Sequence, residues 1–193
     1  MRGEYLLSCM PAQGGDSVRT ILLPMSEETR KSLKAGEAVK LSGTVYTARD
    51  AAHARMLSDC EKGRSLPFPI ENAAIYYVGP TPAKPGQAIG SAGPTTSSRM
   101  DRYTPELLDM GLRVMIGKGR RSEAVKESIV KNSAVYFVAC GGAGALLSHS
   151  IIEAEPVAYP DLLAEAVVKL TVKDFPCFVG IDTDGNDIYE MED

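Results

Sequence analysis

The sequence predicts a single mixed α/β domain, and three observations support this. Two apolar runs, Ala73–Val78 and Ala134–Ala139, have the length and composition of strands buried on both faces of a sheet. Predicted strands alternate with helices in the second half of the chain, whereas the first half is richer in strand and loop. The chain has 193 residues, of which 44% are hydrophobic, so we expect one domain over residues 1–193.

The first half is predicted to contain two strands before the first buried run. A short strand over Thr20–Leu23 is followed by a helical stretch near Ser26–Leu33. Residues Val39–Tyr46 then alternate apolar with small or polar side chains, which favours a strand. Thr47 to Asp50 fit a capping box, so a helix is expected from there to about Lys62.

The second half is predicted to alternate between helices and strands and to end in a hairpin. Proline at the first helical position, serine caps and glycine stops mark the helix boundaries. The expected elements are a helix over Thr104–Gly111, a strand over Val114–Ile116, a helix over Ser122–Lys131, a helix opened by Gly141–Gly144, a helix over Pro160–Leu170, and a hairpin of Phe178–Ile181 with Asp187–Met191.

Composition and charge exclude several functional classes. The net charge is −4, so no basic surface for nucleic acid is indicated. No apolar run approaches the roughly 20 residues that span a bilayer, and the first residues lack the apolar core of a signal peptide. We therefore expect a soluble, cytoplasmic protein. No C-x-x-C or H-x-x-x-H pattern occurs, so we expect no metal site; the cysteines are Cys9, Cys60, Cys140 and Cys177.

The segment Gly90–Asp101 is the strongest candidate for a functional loop. It combines glycines, four consecutive hydroxyl residues and Arg99, with no helical or strand periodicity. Glycine allows backbone N–H groups to approach a ligand, and hydroxyls with a guanidinium bind carboxylate or phosphate. An anion-binding loop is therefore predicted, with a plain connector as the alternative.

Arg49 stands at the start of a predicted helix, where a cation is unfavourable. An anionic ligand bridging Arg49 and the helix N-terminus would compensate this, whereas a solvated surface arginine is the simpler interpretation. His53 lies one turn further on, so Arg49, Asp50 and His53 can share a face. Asp50 could orient the imidazole, or the two could form an ordinary surface pair.

Lys118 lies between two glycines directly after a predicted strand. Open α/β sheets bind ligands at such strand ends, although a turn lysine is an equal alternative. With Arg49 and Arg99 it is the third cation at a helix start or loop of an acidic chain, and Thr95 to Ser98 add neutral donors. The set suits a small dianion such as a dicarboxylate, because each hydrogen bond to a charged group contributes roughly 1.5–3 kcal/mol.

Several motifs in a fixed order identify a family. They are Ser42–His53, Tyr76–Pro80, Gly93–Asp101, Ile116–Gly119 and Tyr136–Gly142. The chain resembles the β subunit, or C-terminal domain, of class I iron–sulfur fumarate hydratases and the related tartrate dehydratases. The resemblance extends from about residue 5 to residue 190 and implies a swivelling β/β/α fold, with a mixed sheet and flanking helices.

The resemblance also implies a partner and a set of site residues. A larger α subunit would hold a [4Fe–4S] cluster through three cysteines, and an α₂β₂ assembly or β–β contacts would follow. Arg49, Arg99 and Lys118 are similar to the substrate-carboxylate ligands, with Thr96 beside them. Thr95 is similar to the proposed base for the C3 proton of malate, and His53 is placed with the catalytic residues. The segment 86–103 is expected to be mobile without the partner.

The motifs leave the substrate open. Reversible hydration of fumarate to (S)-malate, dehydration of L-tartrate to oxaloacetate, and action on a methylated dicarboxylate all require the same recognition features. A dicarboxylate-binding module without catalysis is the alternative from another class.

Overall fold

The computed structural model describes residues 18–83, 85–139 and 142–191. Cys9 and Cys140, two of the cysteines considered above, lie outside these ranges. Helices and strands alternate along the described chain. In order they are β1 (Arg19–Leu23), α1 (Glu27–Ser32), β2 (Ala38–Thr47), α2 (Asp50–Glu61), β3 (Ala74–Tyr76), a 3₁₀ turn (Ser97–Met100), α3 (Thr104–Asp109), β4 (Val114–Gly117), α4 (Glu123–Lys131), β5 (Val135–Val138), α5 (Gly144–Ser148), β6 (Ile151–Ala158), 3₁₀ turns (Pro160–Glu165) and β7 (Val167–Ile181).

The strands form one mixed sheet in the order β1-β2-β3-β4-β5-β7-β6. Strands β1 to β5 run parallel, and β7 is antiparallel to β2, β5 and β6. Since β7 pairs with both β5 and β2, the pairing β2-β3-β4-β5-β7 returns to β2 and the sheet closes on itself. The mixed α/β domain predicted from the sequence is thus confirmed.

Two hydrophobic clusters separate the layers. One cluster, the inner cluster, lies inside the closed sheet, and the other, the outer cluster, lies between the sheet and the helices. Successive side chains of a strand point to opposite faces, so Tyr76 belongs to the inner cluster whereas Ile75 and Tyr77 belong to the outer cluster. The inner cluster fills the space between the two halves of the closed sheet, and the outer cluster joins the sheet to α2, α3 and α4. This gives two β layers and one helical layer, and the buried runs of β3 and β5 lie at their centre.

The start of α2 differs from the predicted capping box. Strand β2 continues through Thr47, and Arg49 is the residue that precedes the helix, with no side-chain cap of its own. The Thr47 hydroxyl donates to the Ala166 carbonyl at 3.1 Å and accepts from the Val168 N–H at 3.0 Å. Its hydrogen-bonding capacity is therefore used by the segment entering β7 and is not available to the helix.

The helix predicted over Pro160–Leu170 is wrong beyond its first turns. Only 3₁₀ turns form over Pro160–Glu165, and Leu163 interrupts them with φ 52° and ψ −117°. From Val167 onward the chain pairs with β2 and β6, so the apolar residues that suggested a helical stripe belong to a strand. Strand pairing on both sides of β7 outweighs the helical spacing of its apolar residues. The partner strand β6 was also not predicted from the sequence.

The terminal hairpin is only partly formed. Phe178–Ile181 is the end of β7, but the residues after the turn make one isolated bridge, between Ile181 and Asp187. The Asp182 carboxylate accepts hydrogen bonds from the N–H groups of Asp184 and Asn186 at 3.0 and 3.1 Å. These bonds stabilise the turn itself, so no long second strand is needed.

Candidate functional site

The polar loop returns to the sheet beside the ends of two parallel strands. The Thr95 N–H donates to the Tyr77 carbonyl at 2.7 Å, and Pro94 forms a bridge with Val78, two residues after the end of β3. Thr96 forms a parallel bridge with Lys118, which follows β4. The loop therefore brings Thr95, Thr96 and Lys118 to the same edge of the sheet.

Arg49 reaches this edge from the strand on the other side of β3. It lies two residues after the end of β2, and β2 pairs in parallel with β3. Its guanidinium lies over Gly79, where an added Cβ would be only 2.5 Å from Arg49 Nη1. The absence of a side chain at Gly79 is what admits the guanidinium at this position.

Glu165 supplies the negative charge that the start of α2 requires. Its Oε1 lies 3.5 Å from Arg49 Nη2, and its Oε2 accepts the Ala51 N–H at 2.8 Å. The sequence left two alternatives for Arg49, an anionic ligand at the helix N-terminus or a solvated surface arginine. In the structure the chain's own Glu165 carboxylate bridges Arg49 and the helix N-terminus. Arg49 Nε remains buried without a hydrogen-bond partner.

Asp50 is paired with Arg99 and not with His53. Arg99 Nε donates to Asp50 Oδ1 at 3.0 Å, and Arg99 Nη2 lies 2.9 Å from Asp50 Oδ2. This ion pair connects the 3₁₀ turn of the loop to the first turn of α2. The guanidinium side chain is still 49% exposed, so its outer face is accessible to a ligand.

His53 is fully buried, which contradicts the interpretation as a surface histidine. Its ring packs against Tyr77 and Tyr103, with centroid distances of 5.4 and 5.9 Å. His53 Nδ1 lies 2.8 Å from the Arg49 carbonyl, which can only accept, so Nδ1 carries the proton. The pKa of His53 is lowered to about 4, mainly by burial and with a smaller contribution from the Arg121 cation.

Thr95, Thr96 and Lys118 have unused polar groups. Within the described part of the chain, neither threonine hydroxyl nor Lys118 Nζ forms a hydrogen bond or ion pair, and all three residues are at least partly exposed. Donors that face solvent unpaired next to two arginines are available to an anion. The arrangement can hold a small dianion between cations and place a hydroxyl against it.

Comparison with known proteins identifies the family of the chain. The family model of the fumarase C-terminus matches residues 4–192. The chain belongs to this family.

The relatives of this chain are of two kinds, long fumarate hydratase chains and a separate β subunit. The chain is 38% identical to "Fumarate hydratase class I, aerobic" of Salmonella typhimurium, over 98% of this chain and 34% of that protein. It is 38% identical to "Fumarate hydratase 2" of Leishmania major, over 90% of this chain and 31% of that protein. It is 35% identical to "Putative L(+)-tartrate dehydratase subunit beta" of Methanocaldococcus jannaschii, over 86% of this chain and 88% of that protein. The chain thus spans about a third of the length of the fumarate hydratases and nearly all of a separate β subunit.

The described residues of this family member do not form a metal site. No group of three or more His, Cys, Asp or Glu residues that could hold a metal ion occurs among them. Cys177 is buried in β7 and Cys60 is half-buried near the end of α2. In the same residues, no helix has the length and apolar character needed to cross a membrane.

Sequence reasoning missed two residues that shape the site. Glu165 lies 114 positions from its partner Ala51, so no local pattern connects them. Gly79 is part of the recognised segment Tyr76–Pro80, but only the position of Arg49 explains why a glycine is needed there.

Proposed function

We propose that this chain is the β part of an iron–sulfur hydro-lyase that reversibly hydrates fumarate to (S)-malate, together with a cluster-bearing α subunit. The observation that carries the proposal is the convergence of Arg49, Arg99 and Lys118 with the unused Thr95 and Thr96 hydroxyls at one edge of the sheet. Membership of the fumarase C-terminus family supports the same reaction class.

The three cations bind and orient the dicarboxylate in this proposal. Arg99 is held on one side by Asp50 and presents its exposed side to one carboxylate. Lys118 and Arg49 hold the remaining carboxylate charge, and Thr96 adds a neutral donor. Fixing the dianion in this way stabilises charge that grows on a carboxylate as the C3 proton leaves.

Thr95 handles the carbon-bound proton. In the direction of malate dehydration, the Thr95 oxygen, as an alkoxide, takes the proton from C3, and the C2–O bond breaks with its electron pair on the departing hydroxide. The proton on Thr95 then combines with the hydroxide through solvent, which gives fumarate and water and restores the alkoxide. A neutral threonine hydroxyl is too weak a base for this role, and cationic neighbours act by lowering its pKa and so favouring the alkoxide. In this proposal the neighbours are Arg99, four residues further on in the 3₁₀ turn Ser97–Met100, and Lys118, which forms a bridge with the adjacent Thr96.

His53 acts through Arg49 and does not touch the substrate. A fully buried imidazole cannot reach a ligand at the surface of the sheet edge. Its hydrogen bond to the Arg49 carbonyl instead fixes the backbone from which the guanidinium extends. We therefore assign His53 a positioning role within the proposed site.

The iron–sulfur cluster belongs to the partner in this proposal. The donor set of the described residues does not fit a cluster, because no cysteine group converges at the site. The relative named subunit beta implies an alpha subunit, and in the longer relatives the remaining two thirds of the chain would take its place. An α₂β₂ assembly is the expected form.

L-tartrate dehydration is the second candidate. The relative from Methanocaldococcus jannaschii, which is a β subunit of nearly the same extent, favours it. The same cations would bind tartrate, so the fold and the charges alone do not separate the two substrates.

Anaerobic co-expression tests the proposal. The chain would be purified without oxygen, alone and together with a candidate α subunit, and assayed with fumarate, L-tartrate and a methylated fumarate. Activity on fumarate in the iron-containing complex, and none in the isolated chain, is the expected result. Activity on tartrate alone would transfer the assignment to the second candidate, and an intact complex inactive on all substrates would favour a binding module.

A further inference from the structure

The Ser97 hydroxyl connects the two loops that carry the candidate substrate ligands. Ser97 is fully buried, and its Oγ accepts the Lys118 N–H at 3.0 Å. Its own N–H donates to the Lys118 carbonyl at 2.9 Å. One buried serine thus joins the loop of Thr95 and Thr96 to the loop of Lys118 through both side chain and backbone.

Tyr136 completes this connection from beneath the sheet edge. Its hydroxyl lies 2.9 Å from Ser97 Oγ and 2.9 Å from the Gly119 carbonyl. A carbonyl only accepts, so the Tyr136 proton goes to Gly119 and Ser97 must donate to Tyr136. The hydrogen bonds therefore run in one direction, from the Lys118 N–H through Ser97 and Tyr136 to the Gly119 carbonyl.

Little freedom remains in this chain of hydrogen bonds. The Tyr136 ring is fully buried, with the Arg121 guanidinium 5.1 Å from its centroid. Burial raises the pKa of Tyr136, so its hydroxyl keeps its proton. At Gly117, the last residue of β4, an added Cβ would lie 2.0 Å from Ser97 Oγ. Only glycine at this position leaves room for the Ser97 side chain.

We propose that Ser97 and Tyr136 are positioning residues that set the separation between the Thr95 and Thr96 hydroxyls and the Lys118 ammonium. The inference rests on the proposed function, because it concerns how the ligands of that site are held. Both residues lie beneath the ligand-binding surface, so they act on the substrate only through the loops that they join.

Removal of either hydroxyl tests the inference. In the assembled complex, Ser97→Ala and Tyr136→Phe should each lower kcat/KM by about tenfold to a hundredfold, the range that a misplacement of about 1 Å produces. Ser128→Ala is the matched control, because Ser128 is a buried serine of α4 whose Oγ accepts a hydrogen bond from Asn132, directly after that helix, and lies outside the site. It should lower the melting temperature without lowering kcat/KM.

Coupling to Lys118 separates positioning from general destabilisation. In a Lys118→Ala background, Ser97→Ala should cause a much smaller further loss than in the wild type, because the lysine it positions is gone. The inference would be overturned if Ser97→Ala lowered kcat/KM by the same factor in the Lys118→Ala background as in the wild type. It would also be overturned if the kcat/KM values of Ser97→Ala and Tyr136→Phe were within twofold of that of Ser128→Ala. Either result would leave the proposed function in place.

Failure of the proposed function has a different signature. If the wild-type complex converts none of the substrates, the proposed function is rejected. Calorimetric titration of succinate into the same complexes then tests the positioning role of Ser97 and Tyr136. Weaker succinate binding by Ser97→Ala and Tyr136→Phe than by Ser128→Ala would support it, and equal affinities would overturn it.

Discussion

Arg99 and Asp50 form an ion pair that joins the candidate substrate loop to the first turn of α2. Arg99 Nε lies 3.0 Å from Asp50 Oδ1, and Arg99 Nη2 lies 2.9 Å from Asp50 Oδ2. The pair holds the guanidinium by one face and leaves the other accessible. It also connects Arg99 to Arg49, which directly precedes Asp50, so the two arginines of the site are not independent.

Replacement of Arg99 by alanine should strongly reduce catalysis. The loss of one carboxylate clamp is expected to cost about 2–5 kcal/mol in transition-state binding, which corresponds to about 30-fold to several thousandfold in kcat/KM. Arg64→Ala is the control, because Arg64 is an exposed arginine paired with Asp59 at the far end of α2. Steady-state kinetics of the complex measures both, and a loss below threefold for Arg99→Ala would remove this residue from the site.

Replacement of Thr95 by valine should lower kcat while the fold is retained. Valine has the shape of threonine, and the Thr95 backbone N–H that holds the loop to Tyr77 is unchanged. The informative measurement is exchange of the malate C3 proton with deuterated solvent. Thr171→Val, which removes a surface hydroxyl bonded to Glu153, should exchange at the wild-type rate. Undiminished exchange in Thr95→Val would eliminate the proposed base.

Replacement of Gly79 by alanine should displace Arg49. The new Cβ would lie 2.5 Å from Arg49 Nη1 and 3.1 Å from the Ala164 carbonyl, so the guanidinium must move. We expect a fall in kcat/KM of roughly tenfold to a hundredfold. Gly63→Ala meets no atom within 4 Å but has φ +71°, so it should cost stability without affecting kinetics. Wild-type kinetics in Gly79→Ala would show that Arg49 does not need its present position.

His53 should make the protein less stable in mild acid. Its pKa is lowered from 6.5 to about 4 by burial, so the unfolded state binds the proton first as the pH falls. The stability that neutral His53 contributes is present above pH 6.5 and is lost between about pH 6.5 and 4, roughly 3 kcal/mol in all.

Urea unfolding of wild type and His53→Asn at several pH values measures this contribution. Asparagine retains an N–H for the Arg49 carbonyl but does not titrate. The unfolding free energy of the variant should therefore fall less between pH 7 and 5 than that of the wild type. His149→Asn, at an exposed histidine, is the control. Identical pH profiles for wild type and His53→Asn would refute the assignment of a neutral buried imidazole.

Arg121 should be essential for stability although it lies beneath the site. Its side chain is fully buried, donates to Asp101 at 2.7 Å and to Thr104 at 2.8 Å, and packs over the Tyr77 ring. Arg121→Met leaves a mostly buried Asp101 carboxylate without its cation, at a cost of about 3–5 kcal/mol. Lys131→Met removes an exposed ion pair with Asp109 and should leave the free energy of unfolding almost unchanged, because solvent screens such pairs. Denaturant unfolding compares the two, and similar losses would contradict this account.

The sequence by itself determined most of the local elements before residue 150, and it determined the family. The apolar runs of β3 and β5 and the glycine after α2 are short-range signals, and each was confirmed at about the expected position. Ser122 precedes α4 as expected, although its side chain makes no capping hydrogen bond. The ordered motifs identified the family, and the family model agrees over residues 4–192. The roles of Arg49, Thr95, Thr96, Arg99 and Lys118 stay predictions.

Only the tertiary structure decided which groups meet. The apolar residues after Pro160 fit a helix by their spacing, yet Val167 and its successors form a strand because β2 and β6 are available on both sides. His53 is buried and not exposed because Tyr77 and Tyr103 enclose it, and Glu165 occupies the anion position at α2 from 114 residues away. Local periodicity records which residues are apolar, but burial and pairing depend on partners brought together by the closure of the sheet.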